Sequence, residues 1–215
     1  VWMNHAQIYA LNFEFPLLSL YLVPILTKFK MMKSFFQKFG MTIYILVLMS
    51  HLHFDHSGGM VHHYNDKMEL SFPNATYVMQ RGEWETAFSS KSSSYHTEIF
   101  DFVQRNAQIH LIEDSGVLTN EISYEFTGAH CPYHQVFLID DGEDKVFFGG
   151  DVLPEPEELI RKFVAKYDYD GRKAMELRDE FGRKAAAEKW KCLFYHSKSK
   201  TQAFIELEDD KFKIV

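Results

Sequence analysis

Ser50-His51-Leu52-His53-Phe54-Asp55-His56-Ser57-Gly58-Gly59 sets three imidazoles and one carboxylate within six residues, directly after the apolar run 43–49. A run that is apolar throughout and rich in β-branched residues reads as a strand covered on both faces, here over 42–49. The histidines then fall where that strand opens into a loop. Alternate residues of an extended chain point the same way, so His51 and His53 converge on one ion. Asp55 and His56, beyond the turn, project to a different side, toward a second ion a few ångströms off. Neutral imidazole nitrogen and carboxylate oxygen are zinc-type donors, and the same set accepts iron, manganese or cobalt. A His-rich surface loop is the bland alternative.

The 215 residues suit one domain, 1–215, with a substantial core. Hydrophobic content of 46% and charge of 25% are those of an ordinary globular chain. A net charge of -7 argues against nucleic acid as a partner, because a phosphate-tracking surface needs a basic excess. Segment 8–26 is strongly apolar but interrupted by Glu14, Pro16 and Pro24, which breaks the run of about 20 apolar residues that a membrane span requires. Neither a basic leader nor a small-residue cleavage site frames it as a signal peptide. Cys131 and Cys192 make no disulfide framework, which points to a reducing, cytoplasmic setting. The tripeptide Asn74-Ala75-Thr76 matches a glycosylation sequon and carries little weight.

Upstream of the motif the chain reads as two buried strands, 7–14 and 17–25, and a helix over 31–39 that Gly40 ends. This first quarter is a different kind of sequence. Residues 1–54 hold four Lys and a single Glu, against 19 basic and 29 acidic residues in the remainder.

Downstream, a polar region leads to a strand at 75–80, and a helix begins at Gly82-Glu83-Trp84-Glu85. The Ser-rich stretch 89–94 is a flexible linker before a helix over 95–105. Trp84, Phe88 and Tyr95 are candidate substrate walls, with local core as the equal alternative. Strands follow at 109–113 and 122–127, the latter running into Gly128-Ala129-His130-Cys131-Pro132-Tyr133-His134-Gln135. Strands 135–141 and 145–150 pair across Asp141-Gly142 and deliver Phe147-Phe148-Gly149-Gly150-Asp151. A helix is expected over 154–166 with Pro156 in its first turn, then a second one that Asp170 caps. Ala174, Leu177, Phe181, Ala185 and Trp190 make its core-facing stripe. Cys192-Leu193-Phe194-Tyr195-His196 is a buried strand ending in a lone His, and 201–207 with 211–215 closes the chain as a hairpin.

His51-x-His53-x-Asp55-His56 followed by Gly58-Gly59 resembles the signature of the metallo-β-lactamase superfamily of metal-dependent hydrolases, and the resemblance extends over residues 42–196 in four motifs. It implies an α/β fold, a four-layer αββα sandwich, here with an atypical N-terminal β-layer. Members carry a Leu-Ile-Asp-x-Gly-like strand end before the His motif, and residues 1–54 contain no Asp. Gly128 to Gln135 is similar to the family's Gly-His-Thr-Pro-Gly-His loop, with Cys131 and Tyr133 in place of Thr and Gly. By that match His51, His53 and His130 hold one metal, Asp55, His56 and His196 the other, and Asp151 bridges the two. His134 corresponds to a structural His, and Cys131 to a small-residue replacement. Ser197 stands where the family often has Asp, which loosens the support around His196.

The resemblance implies two divalent ions, zinc before manganese, iron or cobalt, and a metal-activated water that attacks a small ester, lactone or phosphoester, with Asp55 and Asp151 as catalytic carboxylates. Only 19 residues follow His196, which disfavours the glyoxalase-type thioesterases with their further helical domain. Nucleases of the superfamily need inserted domains and a basic track, and flavodiiron members put Glu where His53 stands. The lactonase and organophosphate-hydrolase-like branch fits best. Its assisting Tyr is absent at 152–154, leaving Tyr167 or Tyr133 to substitute. A β-lactam-hydrolysing enzyme and a non-catalytic protein on the same scaffold are the competing expectations, and homodimerisation is left open.

Overall fold

The computed structural model describes residues 45–198 and 200–215. The expected strands 7–14 and 17–25, the helix 31–39 and the start of strand 42–49 lie outside the described residues. The described chain is mixed α/β, as expected, and its contacts cluster into two compact units. One comprises described residues 45–79 and 84–111, the other 80–83 and 112–215.

In the first unit β1 (Ile45–Leu48) pairs in parallel with β4 (Ala75–Gln80), and β5 (Gln108–Ile112) lies on the far side of β4. Between β1 and β4 the chain makes a one-turn helix, α1 (Phe54–Ser57), a 3-10 turn at Gly58–Met60, and the hairpin β2 (Val61–Tyr64) and β3 (Lys67–Leu70). That hairpin falls in what reads from sequence as a polar region. Only Val61 and Leu70 are buried in it, so it lacks an apolar alternation to betray it. Asn65 and Asp66 supply the turn with φ of 49° and 59°, the left-handed pair that matches strand twist. Two helices, α2 (Arg81–Ser89) and α3 (Thr97–Asn106), follow close to expectation. Ile99, Phe100 and Val103 of α3 pack with Met49, Leu52, Tyr77 and Trp84 in one core.

The second unit is a seven-stranded sheet in the order β12-β11-β10-β9-β8-β7-β6. Its strands are β6 (Gly116–Val117), β7 (Ile122–Phe126), β8 (Gln135–Asp140), β9 (Lys145–Phe148), β10 (Lys191–Leu193), β11 (Gln202–Glu208) and β12 (Lys211–Ile214). Neighbours from β6 to β9 and from β10 to β12 run antiparallel, while β9 and β10 are parallel. A parallel pair needs a long crossover, and α4 (Glu157–Ile160) and α5 (Gly171–Glu188) lie within it. Asp170 caps α5 as expected, its carboxylate accepting the Lys173 amide at 3.0 Å. Ala174, Phe181 and Ala185 pack with Phe147, Trp190, Cys192 and Ile205, so the predicted stripe is core.

The helix expected over 154–166 is reduced to Glu157–Ile160. Arg161 turns extended, with φ of -116° and ψ of 120°. A tertiary contact replaces the missing helix, because the carbonyl of Phe163 accepts a hydrogen bond from the buried Arg178 guanidinium on α5. Two strand ends also arrive early. β9 stops at Phe148 and β10 at Leu193, so Asp151 lies in a 3-10 turn, Gly150–Val152, and His196 three residues past its strand.

Candidate metal centre

In the first unit the site starts where β1 ends. The Met49 amide still donates to the Val78 carbonyl (2.9 Å), so the backbone stays aligned with β4 up to the motif. His51 is wholly buried, with Nδ1 3.1 Å from the Ser50 hydroxyl. The His53 carbonyl then accepts the amides of His56 (3.0 Å) and Ser57 (2.8 Å), which closes the single turn of α1. That turn changes the geometry expected from spacing. The His56 ring, instead of leaving to another side, comes back to 4.1 Å from the His51 ring, nearer than the 4.6 Å between His51 and His53. Asp55 reaches 3.6 Å from His56 Nε2 and is partly exposed. Neutral imidazoles can crowd in this way around cations, because their nitrogens donate lone pairs and no like charges are forced together.

The neighbourhood of the motif is held by the segment that reads as a flexible linker. The Phe54 amide donates to the Ser94 carbonyl at 2.7 Å, and the Tyr95 ring stands edge-on to His53 at 5.2 Å. Of the three candidate substrate walls, Trp84 and Phe88 are local core, in edge contact with each other and each with Phe100. Tyr95 alone borders the motif.

In the second unit three strand ends converge. Asp151 presents its two oxygens to two different imidazoles: Oδ2 is 3.4 Å from His130 Nε2, and Oδ1 is 3.2 Å from His196 Nε2. His134 does not point at this pair. Its Nε2 accepts the Asp151 amide (3.1 Å), while Nδ1 lies 2.7 Å from the Thr127 hydroxyl, which itself donates to the His134 carbonyl (2.9 Å). An accepting Nε2 puts the ring proton on Nδ1, so His134 is a neutral strut for the Asp151 turn. The His196 amide donates to the Pro154 carbonyl (3.1 Å), which ties its backbone to the segment after Asp151. The Ser197 hydroxyl accepts the Lys200 amide at 3.1 Å.

Sequence reasoning passed over Asp168. Its Oδ1 lies 2.9 Å from His130 Nδ1, and its side chain is 1% exposed. A carboxylate behind an imidazole fixes the tautomer, placing the proton on Nδ1 and the lone pair on Nε2, the arrangement found behind metal-ligating histidines. The loop is pinned in place by the amides of Tyr169 and Asp170, which donate to the carbonyls of His130 (2.9 Å) and Ala129 (2.8 Å). Nothing in the spacing of 38 residues announces this contact; an unexplained Asp just before a helix cap was its only trace. Tyr167 stands edge-on to His130 at 5.9 Å, and desolvation, with Glu158, Asp168 and Asp151 adding to it, pushes its hydroxyl up to about 12. Tyr133 packs against Phe126 and over Gly82. Cys131 is a buried thiol donating to Glu83 Oε2 at 3.3 Å, and burial first, then that carboxylate, push its pKa well up. It is a packed thiol, in keeping with a small-residue replacement.

Each unit thus supplies His and Asp side chains of a kind that could hold metal. Residues 45–196 match the model of the metallo-beta-lactamase superfamily. The chain belongs to this superfamily. It is 33% identical over 135 residues to the N-acyl homoserine lactonase AttM of Agrobacterium fabrum, an alignment covering 58% of this chain and 42% of that protein. The chain therefore spans less than half the length of this curated relative. Among solved structures it resembles a probable metal-dependent hydrolase from Staphylococcus aureus, with a TM-score of 0.65 and 23% identity over 83% of this chain and 64% of that one. It also resembles AidC, a dizinc quorum-quenching lactonase in complex with a product, with a TM-score of 0.61 and 20% identity over 84% of this chain and 67% of that one. The hydrolase AbOPH gives 0.62 and 18%, over 85% and 68%. At such identities these likenesses speak for the fold. Among the described residues, no helix is long and apolar enough to cross a membrane.

Proposed function

We propose that the chain is a metal-dependent hydrolase acting on a small ester, lactone or phosphoester, with N-acyl homoserine lactones the first class to test. The single observation that carries this is Asp151, whose two oxygens face two different imidazoles in the manner of a carboxylate shared by two ions. In this proposal His51, His53 and His130 hold one ion, Asp55, His56 and His196 the other, and Asp151 both. The named function of the AttM relative favours lactones over the other esters.

A divalent pair, zinc by donor preference, supplies Lewis acidity and lowers the pKa of a water toward about 7. The protein's own residues do the remainder. Asp168 holds the proton on His130 Nδ1, keeping Nε2 a donor. His134 grips the Asp151 amide and so holds the backbone of the turn that carries the carboxylate. Asp55, partly exposed beside His56, is placed to orient the attacking water. Tyr167, protonated throughout the neutral range, donates a hydrogen bond to the oxygen on which charge develops.

The test joins metal analysis to a substrate screen. Purified protein should carry about two equivalents of metal, falling in His53→Ala and Asp151→Ala. It should turn over an N-acyl homoserine lactone faster than a phosphotriester or a chromogenic β-lactam. Preferred turnover of the β-lactam would move the protein to the antibiotic-hydrolysing class. Metal below half an equivalent after zinc or manganese reconstitution, with no turnover, would sink the proposal in favour of a non-catalytic scaffold.

A further inference from the structure

Arg178 lies on α5, outside every motif that the sequence singles out, and is 2% exposed. Its guanidinium spreads over three partners. Nε donates to the Val152 carbonyl at 2.8 Å, Nη1 to the Phe163 carbonyl at 3.0 Å, and Nη2 meets Glu158 Oε2 at 2.6 Å. Two of these are backbone of segments that carry site residues. Val152 follows Asp151, and Phe163 lies in the irregular stretch that reaches Tyr167 and Asp168. The far end of that stretch is tied to the Ala129 and His130 carbonyls through Tyr169 and Asp170.

We infer that Arg178 is a positioning residue, which holds Asp151 and Asp168 on opposite sides of His130 by clamping the Val152 and Phe163 carbonyls at once. The inference rests on the proposed metal site, and deepens it. Burying a guanidinium is costly unless its donors are satisfied, and a helix–sheet core could be built at this position from an apolar residue. A planar fork with donors on three sides does what no apolar residue does: it fixes two separate backbone segments at a set distance. Glu158 compensates the charge. Its own carboxyl is pushed up by burial, and Asp168, Glu155 and Asp151 push in the same direction, while Arg178 opposes them. Loss of the helix beyond Ile160 is the structural counterpart, because the Phe163 carbonyl points to Arg178 rather than along a helix axis.

The experiment compares Arg178→Lys, Asp168→Asn and their double variant, with Phe181→Leu on the same helix as a control for simple destabilisation. Lys keeps the charge, but its three donors sit on one atom and lack the spread of the fork that reaches Val152, Phe163 and Glu158. Zinc affinity, read by competition with a chromophoric chelator, should fall about 10- to 100-fold in Arg178→Lys and Asp168→Asn. The double variant should be no worse than the weaker single, because both act through His130. Phe181→Leu should lower the melting temperature and leave zinc affinity within about twofold of the parent. Multiplying effects in the double variant, an unchanged affinity in Arg178→Lys, or an equal loss in Phe181→Leu would overturn the inference. A second readout needs no metal: the His130 Nδ1 proton, hydrogen-bonded to Asp168, should give a protected ring signal in nitrogen-15 spectra that Arg178→Lys loses. Should the parent bind no zinc, the proposed function fails by itself, and this signal still decides the role of Arg178. Should Arg178→Lys not fold, Glu158→Gln, which frees one arm of the fork, must weaken the same signal or the inference falls.

Discussion

His51, His53, Asp55 and His56 owe their proximity to a strand end and one helical turn, with Ser94 and Tyr95 the distant residues seen beside them. His130, Asp151 and His196 come from three strand ends of a seven-stranded sheet, and their support comes from residues as remote in sequence as Asp168 and Arg178. One group of proposed ligands is built mainly by chain-local geometry, the other by sheet register and the loop between β9 and α5. The first should therefore be disturbed chiefly by changes to its own residues and to the Ser94–Tyr95 segment beside it. The second should respond to residues that hold no metal.

The largest expected effect tests the shared carboxylate. Asp151→Ala should remove most bound metal and lower kcat/KM on the preferred substrate by ~10³-fold, about 4 kcal/mol of transition-state stabilisation, as read by mass spectrometry and steady-state kinetics. Full metal content in this variant would mean that Asp151 is not the carboxylate shared by two ions. Next, Asp168→Asn should weaken metal binding by ~10- to 100-fold, whereas Ser50→Ala, which removes only a local contact to His51, should change it by less than about threefold. Equal effects would erase the contrast between the two sets.

A pH prediction separates the two units. Burial raises the Cys192 thiol in the second unit from 9.0 to about 12 and the Tyr77 hydroxyl in the first from 10.0 to about 12. Both groups ionise earlier in the unfolded chain, so each contributes stability that is complete below its ordinary pKa and drains away as pH rises toward 12. The slope is at most about 1.4 kcal/mol per pH unit for each group. Alkaline denaturation followed by circular dichroism should flatten above pH 9 in Cys192→Ala and above pH 10 in Tyr77→Phe. Tyr167→Phe should lose about tenfold in kcat with KM little changed, the worth of about one hydrogen bond. Tyr133→Phe, whose ring packs against Phe126, should leave both unchanged.

What could be read without coordinates follows the same division. Strands β4, β7 and β8, the cap at Asp170 and the stripe from Ala174 to Ala185 were legible because period, capping chemistry and burial agreed at each of them. The β2–β3 hairpin was not, since its two four-residue strands bury one residue each. The helix expected over 154–166 stops at Ile160, because a Pro placed for a first turn says nothing of a guanidinium waiting on another helix. Trp84 and Phe88 carry the same aromatic signal whether they line a pocket or fill a core, and only their contacts with Phe100 assign them to the core.

By itself the sequence determined which donors are present, three imidazoles and a carboxylate within six residues, and the mixed α/β class followed from the resemblance that this motif carries. Tertiary structure alone decided how those donors are aimed. The return of His56 to His51 depends on one helical turn, the two-sided stance of Asp151 on a 3-10 turn after β9, and the tautomer of His130 on a carboxylate 38 residues away. Residue type carries the chemistry of a ligand, but its direction is set by hydrogen bonds to backbone and side chains that chain order does not encode locally.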